Sequence, residues 1–270
     1  MFELLVRNDS RITMTKLQEI LDHKRGEVEK AKKKCSLETL QSNMAMKPSV
    51  SLKRSLERGE VGIIGEVKKA SPSRGVMVED FEPVKIAKTY ETCGLNGVSV
   101  LTDEKYFQGH LRDLKEVKKN ISLPVLRKDF IIDPYQVYES KAAGADAVLL
   151  IVRCLTDARL TELFELAHTL DLETLVEVHS KGELDRANDL AAPIIGINNR
   201  NLDDFTVDIR VLKTLFPKVH QKALVVSESG IKTKEDFVRL RQLGIKAFLI
   251  GEGFVTHKDM KSFISELKGT

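Results

Sequence analysis

A chain of 270 residues, 42% hydrophobic and 31% charged, has the make-up of an ordinary globular protein with room for one large domain or two small ones. A net charge of +3, with acids and bases interspersed, gives no case for a nucleic-acid groove but leaves room for a local anion pocket. Three scattered cysteines without a CxxC and six histidines without an HxH or HxxxH pair disfavour a disulfide framework and a metal site.

From the N-terminus, "MFELLVRNDS" is too short and too polar for a secretory signal, and no apolar run nears the roughly 20 residues of a membrane span. A cytoplasmic protein with reduced thiols is expected. Residues before Met14 read as dispensable, with Met14 as the true start. The segment 14–35, "MTKLQEILDHKRGEVEKAKKKC", opens on Thr15-x-x-Gln18 and sets Leu17, Ile20, Leu21 and Val28 on one apolar stripe, which predicts a helix. Its charges are expected to form a solvated face. The functional alternative is that this helix packs across the main body and helps to close a site.

Eight apolar, β-branched runs follow: 61–67, 97–102, 123–130, 146–152, 173–178, 193–198, 223–229 and 247–251. Helical patterns fill the gaps between them. "IIDPYQVYESKAAGA" offers Asp133 as N-cap, Pro134 at the first helical position and Gly144 as the stop. "DARLTELFELAHTLDL" places Leu160, Leu163, Phe164, Ala167 and Leu170 on one face. "TKEDFVRLRQLG" carries a Thr233-x-x-Asp236 capping signal and ends on Gly244. Strands that are hydrophobic at nearly every position are covered on both faces, as in a parallel sheet. Eight of them alternating with helices predict a single (β/α)8 TIM barrel over 51–270, with an N-terminal helical extension over 1–50 packed on it. An open doubly wound sheet is the competitor, but GxGxxG does not follow an early strand.

The runs end in polar residues. In "IIGEVKKASPSRG" (63–75), alternation puts Ile64, Glu66 and Lys68 on one face, so that face starts as core and finishes with a carboxylate beside an ammonium. The third run ends in Arg127, Lys128 and Asp129, the fifth in Glu177 and His179, and the sixth in Asn198 and Arg200. Barrel active sites lie at the carboxyl ends of the strands, so this repetition points to one site rather than to scattered loop charges. Ser229-Gly230 and Gly251-Glu252-Gly253 follow the last two runs, where backbone amides of barrels often hold phosphate; the Glu252 carboxylate would have to turn away from it. Lys128 could serve as a general acid, a Schiff-base nucleophile or an electrostatic clamp, or simply pair with Asp129 on the rim. His179 shares parity with Glu177, and a rim or supporting role suits it better than direct chemistry.

"IIGEVKKASPSRG", "SVLTDEKYFQG", "LPVLRKDFIIDPYQ", "GADAVLLIV", "LVEVH", "IGINNRNL" and "SESGI" together resemble the successive motifs of the indole-3-glycerol-phosphate synthase family, in that family's order, from about residue 15 to 255. "CGLNGVSV" and "GEGFV" depart slightly from its pattern. The resemblance implies conversion of 1-(2-carboxyphenylamino)-1-deoxyribulose 5-phosphate to indole-3-glycerol phosphate, carbon dioxide and water in tryptophan biosynthesis, with neither cofactor nor metal. It implies a catalytic set of Glu66, Lys68, Lys128, Glu177, Asn198 and Ser229, with Lys128 as the acid for ring closure and Glu177 as its partner in proton transfer. Ser71 and Arg200 would take the substrate carboxylate, and Phe107, Phe130, Leu149 and Leu202 the aromatic ring, with Leu249 also binding substrate. Ser229 and Gly230 with Gly251 and Glu252 would cradle phosphate. The expected partner is therefore a small sugar phosphate bearing an anthranilate group, with no nucleic acid or membrane, bound by a monomer or weak dimer. An aldolase forming a Schiff base through Lys128 and a non-catalytic sugar-phosphate sensor are the competing readings.

Overall fold

Each of the eight apolar runs becomes a parallel strand in the computed structural model, which describes residues 15–44, 48–257 and 259–269. The strands are β1 (Gly62–Val67), β2 (Gly97–Leu101), β3 (Val125–Lys128), β4 (Ala147–Ile151), β5 (Glu173–Val178), β6 (Ile194–Asn198), β7 (Leu224–Glu228) and β8 (Ala247–Ile250). Each pairs in parallel with its neighbours in sequence, and β8 returns to β1 with Gly62 opposite Ala247, which closes the cylinder. The (β/α)8 expectation holds. The open sheet is excluded because the first and last strands are bonded to each other. The expectation about residues before Met14 lies outside the described residues.

Side-chain parity sorts the core into two layers. Ile63, Val67, Val98, Val100, Val148 and Leu150 face outward into the layer shared with the helices. Ile64, Leu126, Leu149, Leu175, Ile194, Val226 and Leu249 face inward and fill the bore. Burying a Val, Leu or Ile is worth roughly 1.5–3 kcal/mol relative to exposure, so runs that are apolar at both parities gain most between a bore and a helical ring.

The helices start and stop where their local chemistry dictates. Asp133 caps the helix Pro134–Ala143 in a reciprocal box with Gln136, and Gly144 ends it in the left-handed region at φ 87°. Thr233 and Asp236 make the same box at the start of Lys234–Gln242, and Gly244 follows its end at φ 95°. In Asp157–Thr169, Leu160, Leu163 and Ala167 are buried, as their spacing predicts.

Among the described residues three further helices precede β1: α1 (Lys16–Lys34), α2 (Leu37–Asn43) and α3 (Leu52–Leu56). Leu52 and Leu56 of α3 plug the amino-terminal end of the bore. At the other end, Leu17, Ile20 and Leu21 of α1 join Phe130, Leu149 and Ile151 in the bore cluster, so α1 packs across the barrel.

The expected solvated face of α1 needs one correction. Lys24 is buried, and its ammonium lies 2.6 Å from Glu27, 2.8 Å from Asp103 and 2.9 Å from Asp129. Burial alone would favour the neutral amine, but Asp129 and Asp103 more than offset that and hold it protonated. A solitary lysine in a charged run gives no sign that two later loops will bring carboxylates to it. Lys24→Ala would strand those carboxylates out of water, and urea unfolding should register a loss of about 3–5 kcal/mol.

Candidate active site

The polar groups at the carboxyl end of the barrel follow from the same parity that builds the bore. Two residues beyond inward-facing Ile64, Leu126, Leu175 and Val226 come Glu66, Lys128, Glu177 and Glu228, and two beyond Gly196 comes Asn198. Five of the eight strands therefore point a polar side chain at the axis as they leave the apolar bore, while β4 stays apolar through Leu149 and Ile151. A single cavity opens there, and all sixteen predicted residues border it: Glu66, Lys68, Ser71, Phe107, Lys128, Phe130, Leu149, Glu177, Asn198, Arg200, Leu202, Ser229, Gly230, Leu249, Gly251 and Glu252.

Lys128 lies at its centre. Its Nζ is 3.2 Å from Glu228 Oε2 and 3.4 Å from Glu177 Oε2, both carboxylates being almost fully buried. It does not pair with Asp129, which Lys24, Arg127 and Thr102 occupy, so the rim alternative for Lys128 is set aside. Arg127 has the opposite parity and turns to the helical layer, where it meets Gln136 O, Ser140 and Glu139. Of the three charges that end β3, only that of Lys128 belongs to the central cluster.

The charges are mutually determined. Burial would neutralise Lys128, but Glu228, Glu177 and Glu66 outweigh it and keep the ammonium protonated far above neutrality. Burial would protonate Glu177, but Lys128, His179 and Asn198 hold its carboxyl well below the usual range. Glu66 is held below its usual value against burial by Lys68 and Lys128, and the Lys68 ammonium donates directly to it. Glu228 differs. Burial, together with the neighbouring Glu177, pushes its carboxyl up to about 8 despite Lys128, so it carries a proton at neutral pH.

Glu228 is the residue that sequence reasoning missed. Its signal in the sequence is its parity with Val226 at the end of β7, next to a turn, Ser229-Gly230, whose small residues point to phosphate. Two glycines make room for this layer. A Cβ on Gly196 would collide with the Glu228 carboxylate, and one on Gly251 with Glu66, whose Cβ and Cδ both lie 2.9 Å from that point.

Around this centre, Phe107 and Phe130 face each other with ring centroids 6.3 Å apart and form an apolar slot with Leu149, Leu202 and Leu249. Asp103 caps the short helix Glu104–Phe107 that presents Phe107. Opposite the slot, Ser229 and Gly230 adopt left-handed backbone at φ 63° and 89°; the strained non-glycine Ser229 is the kind of outlier found at functional turns. Glu252 gathers cations: Arg74 at 2.6 Å, Arg200 at 3.0 Å and Lys232 at 3.3 Å. The Ser71 hydroxyl borders the cavity and points at the Met77 sulfur, 3.8 Å away. His179 stands behind Glu177, its Nε2 3.2 Å from Oε1, and does not border the cavity.

A closed parallel barrel whose carboxyl end holds a buried ammonium among carboxylates, an aromatic slot and a rim of cations has the build of a (β/α)8-barrel enzyme. The family model described as indole-3-glycerol phosphate synthase matches residues 17–267. The chain is 48% identical over 255 residues to the indole-3-glycerol phosphate synthase of Chloroherpeton thalassium, covering 93% of this chain and 98% of that protein. It is 46% identical over 257 residues to that of Thermoanaerobacter pseudethanolicus, covering 94% and 98%. This chain belongs to the indole-3-glycerol phosphate synthase family. A solved 3-hexulose-6-phosphate synthase superposes with a TM-score of 0.62 over 77% of this chain and 99% of that one; at 13% identity the likeness is one of fold alone.

Gly251→Ala should displace the Glu66 carboxylate while leaving the barrel folded. Turnover is expected to fall roughly a hundredfold, as for a misplacement of about 1 Å, with the thermal midpoint almost unchanged in calorimetry.

Proposed function

We propose that this chain carries out the reaction of its family, closing and decarboxylating 1-(2-carboxyphenylamino)-1-deoxyribulose 5-phosphate to indole-3-glycerol phosphate, carbon dioxide and water in tryptophan biosynthesis. The observation that carries the mechanism is the Lys128 ammonium held between Glu177 and Glu228 at the mouth of the bore. Ring closure asks a weakly nucleophilic aromatic carbon to attack a ketone, and the developing alkoxide needs a proton donor. Lys128 is charged, desolvated and aimed into the cavity, which suits that donor. Loss of carbon dioxide then restores the aromatic ring. The remaining hydroxyl leaves as water once an acid protonates it and a base removes a proton from the neighbouring carbon.

Glu177, held ionised, suits the base. Lys68 is placed to assist departure of the hydroxyl and to meet phosphate, with Glu66 orienting both lysines. Phe107, Phe130, Leu149, Leu202 and Leu249 would hold the anthranilate ring. Arg200 suits the substrate carboxylate, with Ser71 beside it and Asn198, whose side chain accepts from the Arg200 amide at 3.0 Å, fixing its backbone. The turns Ser229–Gly230 and Gly251–Glu252 would take the phosphate, with Arg74 and Lys232 redistributing from Glu252 to the incoming anion. The same reading divides the chain into an N-terminal helical extension over 1–50 and the catalytic barrel over 51–270, working in the cytoplasm. Among the described residues no helix is long and apolar enough to cross a membrane.

A Schiff-base aldolase would need Lys128 as a neutral amine, and its surroundings favour the charged form. Purified chain given the carboxyphenylamino sugar phosphate should generate indole absorbance and fluorescence. Lys128→Met should lower kcat by roughly 10²–10⁴-fold, the usual worth of a positioned general acid. Wild-type turnover in that variant would remove Lys128 from the role.

A further inference from the structure

We infer that His179 is a positioning residue of the active site: its ring, bridged between Glu177 and Glu183, decides which of the two buried glutamates facing Lys128 carries the proton. The inference rests on the reading of Glu177 as the proton-transferring base. His179 sits two residues past Glu177, and its side chain is 8% exposed. Its Nε2 is 3.2 Å from Glu177 Oε1 and its Nδ1 3.1 Å from Glu183 Oε2, so both ring nitrogens meet carboxylates. Nδ1 is hydrogen-bonded to Glu183 and Nε2 faces Glu177 as an ion pair, and against burial the two carboxylates push the ring's pKa up to about 9, so it stays an imidazolium at neutral pH.

The outer end of this chain is fixed. Glu183 lies in the first turn of the helix Lys181–Asp189, accepts the His179 amide at 2.8 Å and takes the Ser180 hydroxyl at 3.1 Å, while Ser180 caps the Glu183 amide at 3.3 Å. The helix thus holds Glu183, Glu183 holds the ring, and the ring holds Glu177. The two oxygens of Glu177 are divided between partners, Oε1 towards the imidazole and Oε2 towards Lys128.

The chemical consequence follows from Glu228. Glu177 and Glu228 share one ammonium, and like charges at that separation do not both ionise readily. By symmetry of chemistry either could keep the proton. The imidazolium touches only Glu177 and breaks the tie, leaving Glu177 as the base and Glu228 as the protonated partner, in keeping with the elevation of the Glu228 carboxyl to about 8. The other groups around the pair are Glu66 near Lys128, the Asn198 amide beside Glu177, and the Cys154 thiol near Glu177, Glu183 and Arg153. The Cys154 thiol is pushed up by burial and stays neutral, so His179 is the cation that separates the two glutamates.

The test is the pH profile of kcat in the full chain for four variants. Removing a cation beside a carboxylate raises its pKa, so the base is lost at higher pH on acidification. His179→Ala should move the acidic limb upward by about one pH unit or more. It should also lower kcat roughly ten- to hundredfold, as for a base left up to about 1 Å out of place. KM should stay within about threefold, because the ring does not touch the cavity. His179→Gln restores a donor without the charge and should recover part of kcat while leaving the limb displaced. Glu183→Gln should displace the limb in the same direction by less, and it carries the test alone if His179→Ala does not fold. An unmoved limb in His179→Ala, or in Glu183→Gln where that variant stands alone, would overturn the clamp, as would a loss expressed only in KM. Glu177→Gln separates the two ideas. If it retains turnover, the reading of Glu177 falls and the clamp with it; if it loses turnover while His179→Ala matches wild type, only the clamp falls.

Discussion

An ammonium group at the mouth of an apolar bore has to be surrounded by anions or lose its proton, and Lys128 imposes that condition on everything near it. Moving an isolated charge of this kind out of water costs several kcal/mol, so the lysine is stable as a cation because ionised Glu66 and Glu177 converge on it and Glu228 supplies a further acceptor oxygen. Those carboxylates are buried in turn and need their own partners: Lys68 for Glu66 and His179 for Glu177. Glu228, sharing Lys128 with Glu177, answers by keeping a proton instead. Space is part of the same constraint, since Gly196 and Gly251 occur where a methyl group would displace Glu228 or Glu66. The site is a mutually compensating set, and its asymmetry, protonated Lys128 and Glu228 beside ionised Glu177, comes from how the compensation is shared.

The barrel supplies this set with a polarity gradient. Along β1, β3, β5 and β7 the inward face passes from an aliphatic residue to a charged one within two positions, so the strands that fill the bore also form the floor of the cavity. Leu52 and Leu56 seal the far end, and α1 leans Leu17, Ile20 and Leu21 against the residues that carry the aromatic slot. Lys24 reinforces that contact through Asp103, which caps the helix bearing Phe107, and Asp129, which precedes Phe130. One buried lysine in the extension therefore braces both aromatic walls. The rim is looser. Arg74 and Lys232, each about half exposed, reach Glu252 through pairs of the kind worth roughly 0–1 kcal/mol in water, so they yield readily to an incoming anion.

The eight strands, the capping boxes at Asp133 and Thr233, and the sixteen residues that border the cavity were all legible in the amino-acid order. Those are local or periodic properties: alternation fixes a face, a cap fixes a helix start, and seven ordered motifs fix a family. Tertiary structure alone decided the pairings. That Lys128 meets Glu177 and Glu228 rather than adjacent Asp129, and that Lys24 leaves the solvated face of α1 for Asp103 and Asp129, depend on segments far apart in the chain being brought side by side by the closed barrel. Charge interactions fall off with distance in space and take no account of distance along the chain, so residues 49 and 100 positions from Lys128 settle its protonation in a way that no run of sequence displays.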